Sequence, residues 1–174
     1  RSNNLFAVTE ILPKDPGAVN TVIGNGITPL HLAAAMNRAD VAEKLLLFGA
    51  DVDARTAGGF TPLHWAASRA SDAVVRVLLA GGADVDGRTN AGVTPLHWAA
   101  SKNHIEAVKL LLRGGANPEA TTADGMTPLH WAVRKKAIET IDVLIAAGAN
   151  PYVEARDGTT PLHWVTTTQV RESL

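Results

Sequence analysis

The tetrapeptide Thr-Pro-Leu-His opens at Thr28, Thr61, Thr94, Thr127 and Thr160, and successive copies lie 33 residues apart. A fixed period of that length means one supersecondary unit copied along the chain. Such an array sets similar side chains in rows instead of converging unlike ones on a point, which favours binding over catalysis. Each unit touches only its neighbours, so stability accumulates along the array. The 174 residues therefore read as one continuous domain without a linker.

Within a unit, Thr-Pro is a helix-entry signal. The Thr hydroxyl can cap an unpaired backbone N–H, and Pro at the first helical position sacrifices no hydrogen bond. In the second unit the first helix is predicted from Pro62 to about Ser68. A second helix starts near Asp72, with its apolar stripe at Val74, Val75, Leu78 and Leu79. Gly82 then supplies a left-handed stop, repeated at Gly49, Gly115 and Gly148. Turn residues lead on to the next Thr-Pro.

The tail of each unit keeps the same register. Leu46-Leu47-Phe48-Gly49-Ala50-Asp51 has counterparts in Leu79-Ala80-Gly81-Gly82-Ala83-Asp84, Leu112-Arg113-Gly114-Gly115-Ala116-Asn117 and Ile145-Ala146-Ala147-Gly148-Ala149-Asn150. With these motifs following each Thr-Pro-Leu-His, the chain resembles the ankyrin repeat family over nearly its whole length. The resemblance implies an all-α solenoid of paired antiparallel helices with protruding β-turn or hairpin loops. Full units are expected at 23–55, 56–88, 89–121 and 122–154, with partial units at 1–22 and 155–174. The segment Phe6–Leu12 looks like the second helix of an earlier unit, followed by a longer return over residues 13–20. Neither end carries a polar capping unit, as expected of a piece of a longer protein. The family usually places Gly-His between its helices, where this chain has Asn37-Arg38, Ala70-Ser71, Asn103-His104 and Lys136-Ala137. Asn tolerates a left-handed backbone better than Ala or Lys does, which marks the second and fourth turns as the strained ones.

Composition narrows the function. The chain is 46% hydrophobic and 19% charged with a net charge of −1, against nonspecific nucleic-acid or membrane binding, which needs a large basic field. No apolar run reaches the roughly 18 residues that direct membrane insertion would need. No signal peptide is visible, although the sequence begins at Arg1. There is no cysteine, which removes disulfides, zinc-thiolate sites and thiol chemistry and fits an intracellular setting, cytoplasmic or nuclear.

No catalytic constellation emerges. Ser68, Ser71, Ser101 and Ser173 lie outside any nucleophile elbow, and no histidine–carboxylate pair is placed to activate one. Ala57-Gly58-Gly59 reads as a turn tip and not as a phosphate-binding loop. The periodic His31, His64, His97, His130 and His163 suggest a metal ladder. Stacked helices, however, sit ~8–10 Å apart, too far for two imidazoles to share one zinc at ~2.0–2.1 Å each. Each ring is instead expected to hydrogen-bond the loop of its own or the next unit, as the resemblance also implies. His104 is off-register and reads as a turn residue. No cofactor or metal is expected.

Trp65, Trp98, Trp131 and Trp164 form a second ladder, expected to pack between adjacent first helices or to show indole edges to a partner. Two further rows are the candidate binding residues. The residue before each Thr-Pro, namely Ile27, Phe60, Val93, Met126 and then Thr159, is expected on an exposed loop tip, as a binding patch or packed against neighbouring tips. Eight residues after each Thr come Met36, Arg69, Lys102, Lys135 and Thr168, with Arg134 and Lys136 flanking Lys135. Acidic residues cluster elsewhere, at Asp40, Glu106 and Glu139 on the second helix and at Asp53, Asp86 and Glu119 in the return loops.

This segregation predicts a non-catalytic interaction module holding a protein or peptide of acidic and apolar character, with the oligomeric state left open and a monomer favoured. Two alternatives come from other classes. The array could be the targeting segment of a larger enzyme or of a bacterial or viral effector. It could also be a substrate, since the resemblance to ankyrin proteins implies hydroxylation of an asparagine in the return loop. Only Asn20 matches that position, with Asp53, Asp86, Glu119 and Tyr152 replacing it in the other units.

Overall fold

The computed structural model describes residues 16–164. The Phe6–Leu12 segment and Thr168 lie outside them. After a 3-10 turn at Pro16–Asn20 come four helix pairs: α1 (Pro29–Ala35) and α2 (Ala39–Leu47), α3 (Pro62–Ser68) and α4 (Asp72–Ala80), α5 (Pro95–Ser101) and α6 (Ile105–Arg113), α7 (Pro128–Arg134) and α8 (Ile138–Ala146). First helices pack on first helices, second helices on second helices, and each pair closes on itself. That is the all-α solenoid expected from the repeats.

Every first helix starts the same way. Thr28, Thr61, Thr94 and Thr127 stand extended at the N-cap, with Pro in the first turn and a capping box closed by the histidine of the motif. Inside, Leu30, Leu63, Leu96 and Leu129 are fully buried beside alanines that let neighbouring helices approach. Burial of each such Leu contributes about 1.5–3 kcal/mol. The second helices add Val74, Val75 and Leu78 in α4 and Ala107, Val108 and Leu111 in α6, all inaccessible to solvent. Seven- and nine-residue helices would not persist alone. The stack holds them.

Backbone conformation at the turns follows the residue types. Gly49, Gly82, Gly115 and Gly148 end the second helices with φ between 85° and 92°. Asn37, Ala70, Asn103 and Lys136 adopt the left-handed region between the helices, at φ 51° to 57°. Asn103 earns its place, because its side chain donates to Glu139 and accepts from Thr140 Oγ1, both at 2.9 Å. Ala70 has only a Cβ in a conformation that penalises one. Replacing Ala70 by Gly should therefore stabilise the protein by about 0.5–1 kcal/mol, the strain relieved exceeding the added chain entropy. Urea midpoints would check this; a lower midpoint would show that the turn is unstrained.

The loop tips form a ladder of their own. Within one tip, Thr56 N–H donates to the Phe60 carbonyl and Phe60 N–H to Thr56 Oγ1. Between tips, Ala57 N–H donates to Asn25, Asn90 N–H to Gly58, Ala123 N–H to Ala91 and Arg156 N–H to Asp124, at 2.7–3.1 Å. These are hairpin turns joined edge to edge, and in the first of them Ile23 and Ile27 form an antiparallel bridge. Arg55 and Arg88 strengthen the ladder by donating to the Arg88 and Thr121 carbonyls.

Candidate functional site

The histidines knit consecutive units together. In each motif the Thr backbone N–H donates to Nδ1 of the histidine three residues on, at 3.0–3.2 Å. Nδ1 is thus the acceptor, and Nε2–H is left to donate. It does so to the residue preceding the next Thr-Pro: His31 to Phe60, His64 to Val93, His97 to Met126 and His130 to Thr159, at 2.9–3.2 Å. Both ring nitrogens are engaged, as expected of structural histidines. Burial drives all four imidazoles toward the neutral form, and His64 and His97 are lowered to about 4. His104 caps α6, its Nδ1–H donating to the Ala67 carbonyl at 3.0 Å.

These bonds correct the expected exposure of the tip row. Val93 is only 8% exposed, and Ile27, Phe60 and Met126 are half-buried. The cause is direct: the carbonyl of the residue before Thr-Pro receives the preceding unit's imidazole, which draws that residue onto the preceding first helix. The Phe60 ring is covered further by its own and the next first helix, 5.8 Å from His64 and 6.1 Å from Trp98. The basic row is different. Arg69, Lys102, Arg134 and Lys135 are exposed, as is Met36.

The half-buried indoles pack and also line open space. Trp65, Trp131 and Trp164 meet the histidine of the preceding unit edge-on at 5.3–5.8 Å, and Trp98 meets Trp131 at 5.6 Å. Their remaining surface floors a row of clefts. The first, about 210 Å³, lies between the second and third units and is lined by Phe60, His64, Trp65, Ser68, Arg69 and Trp98. The next, about 370 Å³, is lined by Ser101, Asp124, Met126, Trp131, Arg134 and Lys135. A third of about 450 Å³ joins Met126 and Arg134 to Arg156, Asp157 and Trp164. The Arg134 guanidinium lies 5.9 Å from the Trp164 ring, a cation–π distance that holds it at the cleft edge.

Of the residues expected to bind, Phe60 and Arg69 come together in the first cleft, and Met126, Arg134 and Lys135 in the second. Val93 goes into the fold. The sequence rows leave out Asp124 and Arg156, which sit three and four residues before a Thr-Pro, because only the immediately preceding position is taken as the tip. Ser68 and Ser101 donate to the Trp65 and Trp98 carbonyls at 3.0 Å, ordinary back-bonding within a helix.

The acidic positions have structural partners. Glu106 pairs with Arg76 at 2.7 Å and Asp40 with Arg38 at 2.9 Å. In the return loops Asp53, Asp86 and Glu119 accept the backbone N–H of Asp84, Asn117 and Asn150, one unit on. Asn20 occupies the same bracket, accepting from Asp51 N–H and donating to the Gly49 carbonyl.

A family model for ankyrin repeats (3 copies) matches residues 1–89 and 71–155. The chain belongs to the ankyrin repeat family, whose members are generally protein–protein interaction modules and typically non-catalytic. No individual curated protein matches alongside the family. Among the described residues no helix is long and apolar enough to cross a membrane.

Proposed function

We propose that this chain is a non-catalytic interaction module whose groove, between loop tips and first helices, holds a protein or peptide bearing apolar side chains and carboxylates. The observation that carries the reading is the make-up of the clefts. Aromatic and aliphatic walls from Phe60, Trp98, Met126 and Trp131 stand beside Arg69, Arg134 and Lys135. The chain as a whole is near neutral, so the basic edge is local. Such an edge acts on partner choice and association rate.

Charge reversal at exposed positions tests the reading without emptying the core. Lys102→Glu with Lys135→Glu should leave stability within about 0.5 kcal/mol. It should also slow association with a captured partner and flatten its salt dependence. Lys109→Glu makes the same kind of charge change at an exposed position of α6 and should alter binding little. Surface plasmon resonance at several salt concentrations would separate these cases. Loss of binding in Lys109→Glu with none in the groove pair would move the function to the other face.

A further inference from the structure

We propose that Asn25-Gly26, at the first loop tip, is a site of spontaneous succinimide formation. The reaction turns Asn25 into aspartate and isoaspartate, and the isoaspartate form detaches the first tip from the second.

Asparagine is among the thermolabile residues, but cyclisation makes two demands on its surroundings. The side chain must be free to swing back, and the following backbone N–H must be unbonded. Glycine in that position helps, having no Cβ to hinder the approach. The Gly26 nitrogen, its proton lost to solvent, attacks the side-chain carbon of Asn25. A nitrogen–carbon bond forms, the side-chain nitrogen leaves as ammonia, and a five-membered imide remains. Water then opens the ring at either carbonyl. The net change is amide plus water to carboxylate plus ammonium, and nothing is oxidised or reduced.

Among the described residues Asn25 alone meets both demands. Its side chain is exposed and without a partner, and the Gly26 N–H reaches no acceptor. Asn117 and Asn150 precede Pro118 and Pro151, which have no N–H. The N–H after Asn20, Asn37 and Asn103 donates to the Ala18, Ala33 and Ala99 carbonyls at 2.9–3.2 Å. Asn90 is held by its side chain, which donates to the Ala57 carbonyl at 2.9 Å. The other tips are closed to the same chemistry. Gly59, Gly92, Gly125 and Gly158, in the position of Gly26, donate to the Thr56, Thr89, Thr122 and Ala155 carbonyls at 2.8–2.9 Å. Asp124-Gly125 and Asp157-Gly158 therefore have their nitrogen occupied. The first tip differs because Gly24 turns it at φ 51° and Ile27 N–H takes the Ile23 carbonyl instead.

Isoaspartate cannot sit in the ladder as asparagine does. It routes the backbone through the former side chain, adding a methylene to the tip and making the Asn25 carbonyl part of a free carboxylate. That carbonyl accepts from Ala57 N–H at 2.7 Å. Nothing nearby has room for the added atom. Even a Cβ at Gly26 would lie 2.9 Å from Thr56 Cα and 3.0 Å from the Arg55 carbonyl oxygen. The junction between the two tips has to open.

The test ages the whole chain at pH 7.5 and pH 8.5 beside Asn25→Gln. Electron-transfer mass spectrometry, which separates isoaspartate from aspartate, reads the site, and amide exchange at Ala57 reads the junction. Asn25 should react at least about tenfold faster than any other described asparagine, a barrier lower by about 1.4 kcal/mol. Its rate should rise with pH, because the attacking nitrogen must lose its proton. Ala57 N–H should exchange faster in the isoaspartate form than in fresh protein. Asn25→Gln, aged alongside, should keep Ala57 as protected as in fresh protein. Reaction first at another asparagine, or none at Asn25, would overturn the site. Equal Ala57 exchange in the fresh and isoaspartate forms would overturn the detachment.

Discussion

Between pH 7.5 and pH 4.5 the protein should lose several kcal/mol of stability, enough to unfold a domain of ordinary stability. The cause is the row of buried imidazoles. His64 and His97 titrate at about 4 in the fold because burial disfavours the imidazolium, against 6.5 for an exposed ring. A proton therefore binds the unfolded chain first. The stability contributed by each neutral ring is fully present above pH 6.5 and lost progressively as pH falls toward 4. At about 1.4 kcal/mol per pH unit, that gap corresponds to about 3 kcal/mol for each of the two. His31 and His130 are shifted in the same direction. Ordinary domains hold only about 5–15 kcal/mol.

The partner arm is His97→Ala. At pH 7.5 it leaves the Thr94 N–H and the Met126 carbonyl without their ring partner and should cost at least about 1–3 kcal/mol. It also removes one titrating group, so its stability should fall less steeply with acid. The two curves should converge toward pH 4.5. Urea midpoints across the range would show this. Parallel curves, or a wild-type midpoint that does not move, would mean that water reaches the rings in the fold.

How far all this was legible in the sequence depends on whether a residue's role is local. The helix entries at Thr61-Pro62 and Thr94-Pro95 stand where the motif places them, because capping needs only residues within one turn. The left-handed positions at Ala70 and Lys136 follow from register alone. Tip exposure is not local. Whether Val93 faces solvent depends on His64, 29 residues earlier, reaching across a unit boundary to its carbonyl. A row of residues before Thr-Pro gives no sign of that. Clefts are harder still, since Met126, Arg134, Arg156 and Trp164 share one only through three-dimensional stacking. The acidic return-loop row looks like a charge patch in one dimension, yet in the fold it brackets one unit to the next.

Two glycines of the same handedness should respond very differently to alanine, and the difference bears on the groove. Gly82 and Gly59 have φ of 85° and 78°, so a Cβ is disfavoured at both. That conformational term is about 1–2 kcal/mol. At Gly82 an added Cβ meets nothing within 4 Å, and Gly82→Ala should cost little beyond it. At Gly59 the same atom would lie 2.7 Å from Asn90 Oδ1 and 2.8 Å from both Asn90 N and Arg55 Nη2. One of these is backbone of the next tip, itself bonded to the Gly58 carbonyl, so relief requires the second and third tips to separate. Overpacking of this kind typically adds about 1–3 kcal/mol. Gly59→Ala should therefore be the more destabilising of the two by at least about 1 kcal/mol, read as the difference in urea midpoints at pH 7.5. The turn it strains also carries Phe60, so the first cleft should lose its wall and any groove ligand should bind more weakly to Gly59→Ala than to Gly82→Ala. Equal losses of stability would mean that the tip ladder yields without cost, and the hydrogen bonds between loops would then contribute little to holding the groove in shape.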